Sequence, residues 1–285
     1  MARHESRYGA QMGQAIAKGI EITYDILGDG EQDTVLLVCG TGQPAAMWPL
    51  LGVSTALAEA GYRVVTFDNR GMAGAACPTP PWTVGEMADD AGAVLAEVGP
   101  AHVLGVSLGA LIAQTLAIRH PDLVRSATLM VGGGQFGPAW QPIMTGVVEL
   151  YAAGVTPPKT IEQFLMLQAM LTPDQRADPA MVDMATMMAG GLTESFGPGG
   201  QHGQYSASAT WIAEDHLTEL ATISPPVLVI ANELDPIFPA RGLRDVATAV
   251  PNGTYVEIPG VSHVAMDPVS LQTTMSALIE FLSSK

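Results

Sequence analysis

The stretch 101–114 constrains this chain more than any other. A short apolar run leads into Gly105-Val106-Ser107-Leu108-Gly109, and an apolar helical pattern follows at once. This reads as strand, tight turn and helix, with Ser107 at the apex. A turn this sharp strains the serine backbone and brings strand and helix close. Side chains two positions either way would collide, which gives the two glycines their role. Ser107 is then lifted clear of the sheet. Its oxygen sits at the positive N-terminal end of the following helix, where developing negative charge is favoured. The chain holds 31 glycines, so the bare five-residue pattern means little; the strand–turn–helix setting makes it specific.

The rest of the chain supplies the frame such a turn needs. Residues 1–12 read as polar and irregular, and 15–17 with 21–27 as an antiparallel hairpin around Lys18-Gly19. Apolar runs at 34–39, 63–68, 101–106, 127–131 and 226–231 read as parallel strands buried on both faces, with a further strand at 254–258. Helical patterns alternate with them at 47–60, 87–98 (opened by a Thr83–Glu86 capping box), after the elbow to about 120, from 240 and over 268–282. The expected fold class is α/β, a mostly parallel sheet with helices on both faces. Between 135 and 220 helical patterns run at 143–152, 161–170 and 181–188 without intervening strands, and 196–203 reads as an irregular loop. The expected domains are therefore 1–134 and 222–285, two parts of one α/β core, and 135–221, an inserted helical cap over the strand ends where open α/β sheets bind ligands.

Composition narrows the partners. A chain of 285 residues, 48% hydrophobic and 14% charged, readily builds one large core. Its net charge of −16 argues against nucleic acid and anionic membranes. No apolar stretch approaches a membrane span, and Met1-Ala2-Arg3-His4-Glu5-Ser6 lacks the apolar run of a signal peptide, so the expectation is a cytoplasmic protein. Cys39 and Cys77 offer no disulfide framework or metal cluster.

A serine hydroxyl is a poor nucleophile until a base takes its proton and a third group orients the base. Asp235 and His263 each lie just past a late strand, and the ends of parallel strands gather on one edge of a sheet. Glu233 and Asp267 compete with Asp235, but Glu233 reads as a loop carboxylate and Asp267 as a helix cap. Asp68 reads as structural, tied to Arg70. His102 and His120 flank elements on the wrong side of the sheet; His216 is less attractive than His263, and His202 sits in the cap loop. The developing oxyanion needs two N–H donors, expected from the backbone of Leu108 and, in the loop after the first parallel strand, of Thr41.

These residues resemble the α/β-hydrolase superfamily, in particular its cap-bearing branch of small esterases, enol-lactone hydrolases and cofactor-free haloperoxidase-like enzymes. The resemblance rests on Phe67-Asp68-Asn69-Arg70-Gly71, Met87-Ala88-Asp89-Asp90, the Gly105–Gly109 elbow, His120-Pro121-Asp122-Leu123-Val124, Asp235-Pro236 and Gly260-Val261-Ser262-His263. It implies the catalytic order Ser107, Asp235, His263. One departure stands out: the family commonly has His-Gly where this chain has Cys39-Gly40, so the resemblance implies an oxyanion loop that is either held differently here or tuned for other chemistry. A serine at the elbow separates the chain from haloalkane dehalogenases and epoxide hydrolases, which place an aspartate there.

Candidate pocket residues are Gln43, Trp48, Phe136, Trp140 and Met144. Met166, Met170, Met181, Met184, Met187 and Met188 could add an adaptable apolar surface, and Trp211 a flat wall. Few basic residues stand nearby, chiefly Lys159 and Arg176. The expected function is hydrolysis of a medium-sized, mostly apolar carboxylic ester, lactone or thioester through an acyl-enzyme, with no metal or organic cofactor. Two alternatives stand beside it: elimination, cyclisation or carbon–carbon cleavage by the same three residues, and a binding module without catalysis. The sequence does not give the oligomeric state.

Overall fold

The computed structural model describes residues 11–30 and 32–285; the stretch 1–10 read above as irregular lies outside them. Eight strands form one sheet: β1 (Gln11–Ala17), β2 (Ile20–Leu27), β3 (Thr34–Val38), β4 (Arg63–Phe67), β5 (Ala101–Val106), β6 (Val124–Met130), β7 (Val227–Asn232) and β8 (Gly253–Ile258). Their order across the sheet is β1-β2-β4-β3-β5-β6-β7-β8. The hairpin β1–β2 joins the edge antiparallel, and all pairings from β4 to β8 are parallel. This is the expected α/β class. Pairing in the hairpin already includes Gln11 and Met12, against Ile26 and Asp25, so the irregular segment ends earlier than its polarity suggests.

Helices cover both faces because successive strand residues point to opposite sides. Leu36, Val38 and Val229 join one buried cluster with α3 (Val84–Val98), α4 (Leu108–Arg119) and α10 (Ala240–Ala249). Val35, Leu37 and Ile230 join the other, with α2 (Val53–Glu59) and α11 (Pro268–Ser283). The pattern at 47–60 is two helices, not one: α1 (Met47–Leu50) ends before Gly52, whose left-handed φ of 74° starts α2 on a new axis. The capping box of α3 forms as expected: Glu86 N–H donates to Thr83 Oγ1 at 3.2 Å and Thr83 N–H to Glu86 Oε2 at 2.8 Å.

Between β6 and β7 lie α5 (Trp140–Ala152), α6 (Lys159–Met170), α7 (Pro179–Glu194), α8 (Gly200–Ile212) and α9 (Leu217–Leu220). The segment 196–203 is not wholly a loop, since α8 begins at Gly200. Its glycines serve close packing: a β-carbon at Gly200 would overlap the Gly71 carbonyl, and one at Gly203 the Trp82 ring. No helix among the described residues is long and apolar enough to cross a membrane.

Asp267 caps α11, accepting from Ser270 N–H at 2.9 Å, and these bonds hold its carboxyl below the ordinary range. A depressed folded-state pKa means its stabilisation is complete above the unfolded value and fades as pH falls through the folded one. Asp267→Ala is expected to cost about 1 kcal/mol at neutral pH. Thermal melts at pH 7 and at strongly acidic pH check this: the wild-type advantage should shrink at the lower pH.

Candidate active site

The elbow is built as its glycines require. Ser107 adopts φ 55°, ψ −117° between β5 and α4, a strained backbone for a non-glycine residue. A β-carbon at Gly105 would run into the backbone of Gly109 and lie 2.7 Å from Ala110 N; one at Gly109 would overlap the Val38 carbonyl and lie 2.7 Å from that of Cys39. Gly132, outside the motif, is equally confined, since its β-carbon would lie 2.5 Å from the Ser107 carbonyl oxygen. Val131 beside it has φ 45°, a further strained position.

Ser107, His263 and Asp235 come together although they lie far apart in the chain. Ser107 Oγ is 3.0 Å from His263 Nε2, and His263 Nδ1 is 2.7 Å from Asp235 Oδ2. The other oxygen of Asp235 accepts the N–H groups of Ile237 at 2.8 Å and Phe238 at 3.1 Å, in the turn that Pro236 opens. Asp235 is buried, so three donors converge on a fixed acceptor. An ionised carboxylate only accepts, which places the imidazole proton on Nδ1 and leaves Nε2 free to take one from Ser107. The histidine loop is also held from outside the sheet. Ala169, near the end of α6, accepts His263 N–H at 3.1 Å and the Ser262 hydroxyl at 2.7 Å. Asn232 Nδ2 donates to Ser262 O at 2.7 Å.

Three hydrogen bonds hold the loop after β3. Gly40 N–H donates to Gln43 Oε1 at 3.1 Å, Gly42 N–H to Gln204 Oε1 at 2.9 Å, and Asn69 Nδ2 to the Cys39 carbonyl at 2.8 Å. Gln204, fully buried on α8, also donates to Arg70 O at 3.0 Å. These bonds consume the N–H groups on either side of Thr41, whose own N–H donates to nothing among the described residues. Neither does that of Leu108, the first residue of α4. Cys39 is fully buried, and burial together with nearby Asp68 pushes its thiol far up, away from thiolate chemistry.

Asp68 is not tied to Arg70. It accepts Ala45 N–H at 2.6 Å and so holds the start of α1's approach, while Arg70 forms a buried two-pronged pair with Asp90 at 2.6 and 2.8 Å. Glu233 receives the Gly260 N–H, as a loop carboxylate would. His102 is buried against Ser126, and burial lowers its pKa. His202 lies on α8 rather than in a loop, stacked on Tyr151. His216 stacks on Trp211.

Ser107 and His263 open into a cavity of about 310 Å³ between the sheet and α5 to α8. Gln43, Trp48, Phe136, Trp140 and Met144 all line it, as do Thr41 and Leu108. Of the other methionines, Met166, Met170 and Met188 line it; Met181 packs within the inserted helices, and Met184 and Met187 face solvent. Trp211 does not reach the cavity, because its Nε1 is drawn to the Gly134 carbonyl at 2.7 Å. Lys159 and Arg176 do not line it either. Sequence reasoning missed Gln204, Gly132 and Glu162, the last a buried carboxylate in the wall; only their fold neighbours give them meaning.

A family model described as the alpha/beta hydrolase fold matches residues 33–268. The chain is 34% identical over 270 residues to a Mycobacterium tuberculosis protein that carries the name non-heme bromoperoxidase BpoC, covering 93% of this chain and 98% of that one. The crystal structure of that protein matches with a TM-score of 0.80 at 31% identity, over 92% of this chain and 96% of the other. Rhodomycin D methylesterase DauP of Streptomyces sp. strain C5 is 27% identical over 275 residues, covering 89% and 91%.

Proposed function

The chain belongs to the alpha/beta hydrolase fold family, and on that premise we propose that it is a serine hydrolase cleaving a medium-sized, mostly apolar carboxylic ester, lactone or thioester. The observation that carries this reading is His263 bridging Ser107 Oγ at 3.0 Å and Asp235 at 2.7 Å. In the proposed reaction His263 Nε2 takes the Ser107 proton as Oγ attacks the carbonyl carbon. Asp235 steadies the imidazolium, and the Thr41 and Leu108 N–H groups hold the oxyanion. Collapse of the tetrahedral intermediate returns the proton to the leaving alcohol or thiol (in a lactone, the ring oxygen). Water, activated by the same histidine, then frees the acyl group from Ser107.

Residues 135–221 act in this reading as a cap that screens the acyl-enzyme and supplies the apolar wall. The kinship with an enzyme named as a methylesterase supports ester chemistry. Intact-mass labelling with a fluorophosphonate probe tests the nucleophile. A single adduct is expected, mapping to Ser107 and absent from Ser107→Ala. No adduct on folded protein would overturn the reading.

A further inference from the structure

The cavity wall is mostly apolar, yet it carries a second polar cluster among the inserted helices. Glu162 of α6 lines the cavity and is only 6% exposed. Its Oε1 accepts the Tyr151 hydroxyl of α5 at 3.1 Å and Gln201 Nε2 of α8 at 2.9 Å. Burial, reinforced by Glu162 itself, pushes the Tyr151 hydroxyl well up, so it stays protonated and donates. Oε2 accepts no hydrogen bond among the described residues. Among the described residues Glu162 is also the one acidic residue in the lining, which contains no lysine or arginine. Oε2 is therefore free to take a donor brought into the cavity by a ligand.

The position of Glu162 relates it to the reacting end. Glu162, Leu165, Met166, Ala169 and Met170 line the cavity at i, i+3, i+4, i+7 and i+8, one face of α6. Ala169 is the residue whose carbonyl holds the His263 loop. At 1.5 Å rise per residue, Glu162 lies about 10 Å along the helix from that tether. On the cavity face the residues between the two, Leu165 and Met166, are apolar.

We propose that Glu162 is a specificity-determining residue. It receives a hydroxyl or ammonium donor carried at the far end of an apolar substrate arm, and it turns away arms that end in a carboxylate. This rests on the reading of the cavity as the substrate site of Ser107. A donor there completes the hydrogen bonding of Oε2, whereas a second carboxylate meets like charge with no cation to offset it.

Calorimetric titration of the wild-type protein with 1-alkanols, 1-alkylamines and alkanoates, matched in length from four to ten carbons, tests the proposal without relying on turnover. At the best length the alcohol or the amine is expected to bind about tenfold or more tightly than the alkanoate; comparing the two tells which donor is preferred. In Glu162→Gln the amide oxygen keeps the Tyr151 and Gln201 bonds, and the gap should close to within about threefold. For p-nitrophenyl esters, kcat/KM should fall several-fold further in this variant for the ω-hydroxy acyl chain than for the unsubstituted one. An alkanoate binding as tightly as the amine and the alcohol in wild type would overturn the proposal, whatever the variant's stability. So would an unchanged preference in folded Glu162→Gln, which would leave the residue as a tether between α5, α6 and α8. A protein that shows the binding preference but hydrolyses no ester would instead count against the Ser107 reading alone.

Discussion

Ser107→Ala is expected to lower kcat/KM for ester substrates by about 10⁴- to 10⁶-fold while leaving the melting temperature nearly unchanged. The side-chain oxygen has a single described partner, His263 Nε2, so little native bonding is lost. The strained φ of 55° belongs to the elbow backbone and is as hard for alanine as for serine. Asp235→Asn should cost about 10⁴-fold, because an amide in place of Oδ2 can favour the wrong imidazole tautomer. The effects should not add: with the hydroxyl gone there is no proton for a correctly oriented His263 to take. The double variant should therefore be little worse than Ser107→Ala. Steady-state kinetics on purified single and double variants, with circular dichroism to confirm folding, reads this directly. A loss below tenfold in Ser107→Ala would mean that its hydroxyl is not the nucleophile. Fully additive losses would mean that the three groups do not act as one unit.

Much of this arrangement was legible in sequence because its causes are local. The elbow needs two missing side chains at fixed spacing, and Gly105 and Gly109 show that spacing. Asp235 and His263 each follow a late strand, and parallel pairing places those strand ends on one edge. What escaped depends on neighbours distant in the chain. Gln204 holds Gly42 across 162 residues, and no periodicity marks it. Read along the sequence, the glycines at 199, 200 and 203 suggested a loop; in the fold Gly199 starts α8 with a left-handed φ of 75°, and Gly200 and Gly203 let the helix press against Gly71 and Trp82. Asp68 and Arg70, two residues apart, invited a pairing. The buried arginine instead met Asp90 in a two-pronged contact, a geometry that sequence proximity cannot supply. Trp211 and Met187 fitted an apolar-wall composition, yet which side of a helix faces the cavity depended on packing that composition does not encode.

The same locality sets a large stability effect from a single methyl group. In Gly105→Ala the new β-carbon would overlap the carbonyl of Gly109 and come within 2.7 Å of Ala110 N, all backbone atoms. No rotamer change relieves such a clash, so either β5 must leave its pairing with β3 and β6 or the first turn of α4 must open. Ordinary overpacking costs about 1–3 kcal/mol, and here the loss should exceed about 4 kcal/mol. At roughly 2–4 °C per kcal/mol for a chain of this size, the melting temperature should drop by about 10 °C or more. Gly191→Ala on α7 is the opposite case: its β-carbon would meet nothing within 4 Å, and the residue is exposed in a helix. There the gain in helix propensity should raise stability by about 0.5–1 kcal/mol. Differential scanning fluorimetry on the two variants separates a steric requirement at the elbow from a general cost of adding methyl groups. If Gly105→Ala melts like the wild type, strand and helix have room to part. The elbow would then be a looser turn than its geometry indicates, and Ser107 would owe its placement to His263 rather than to its own backbone.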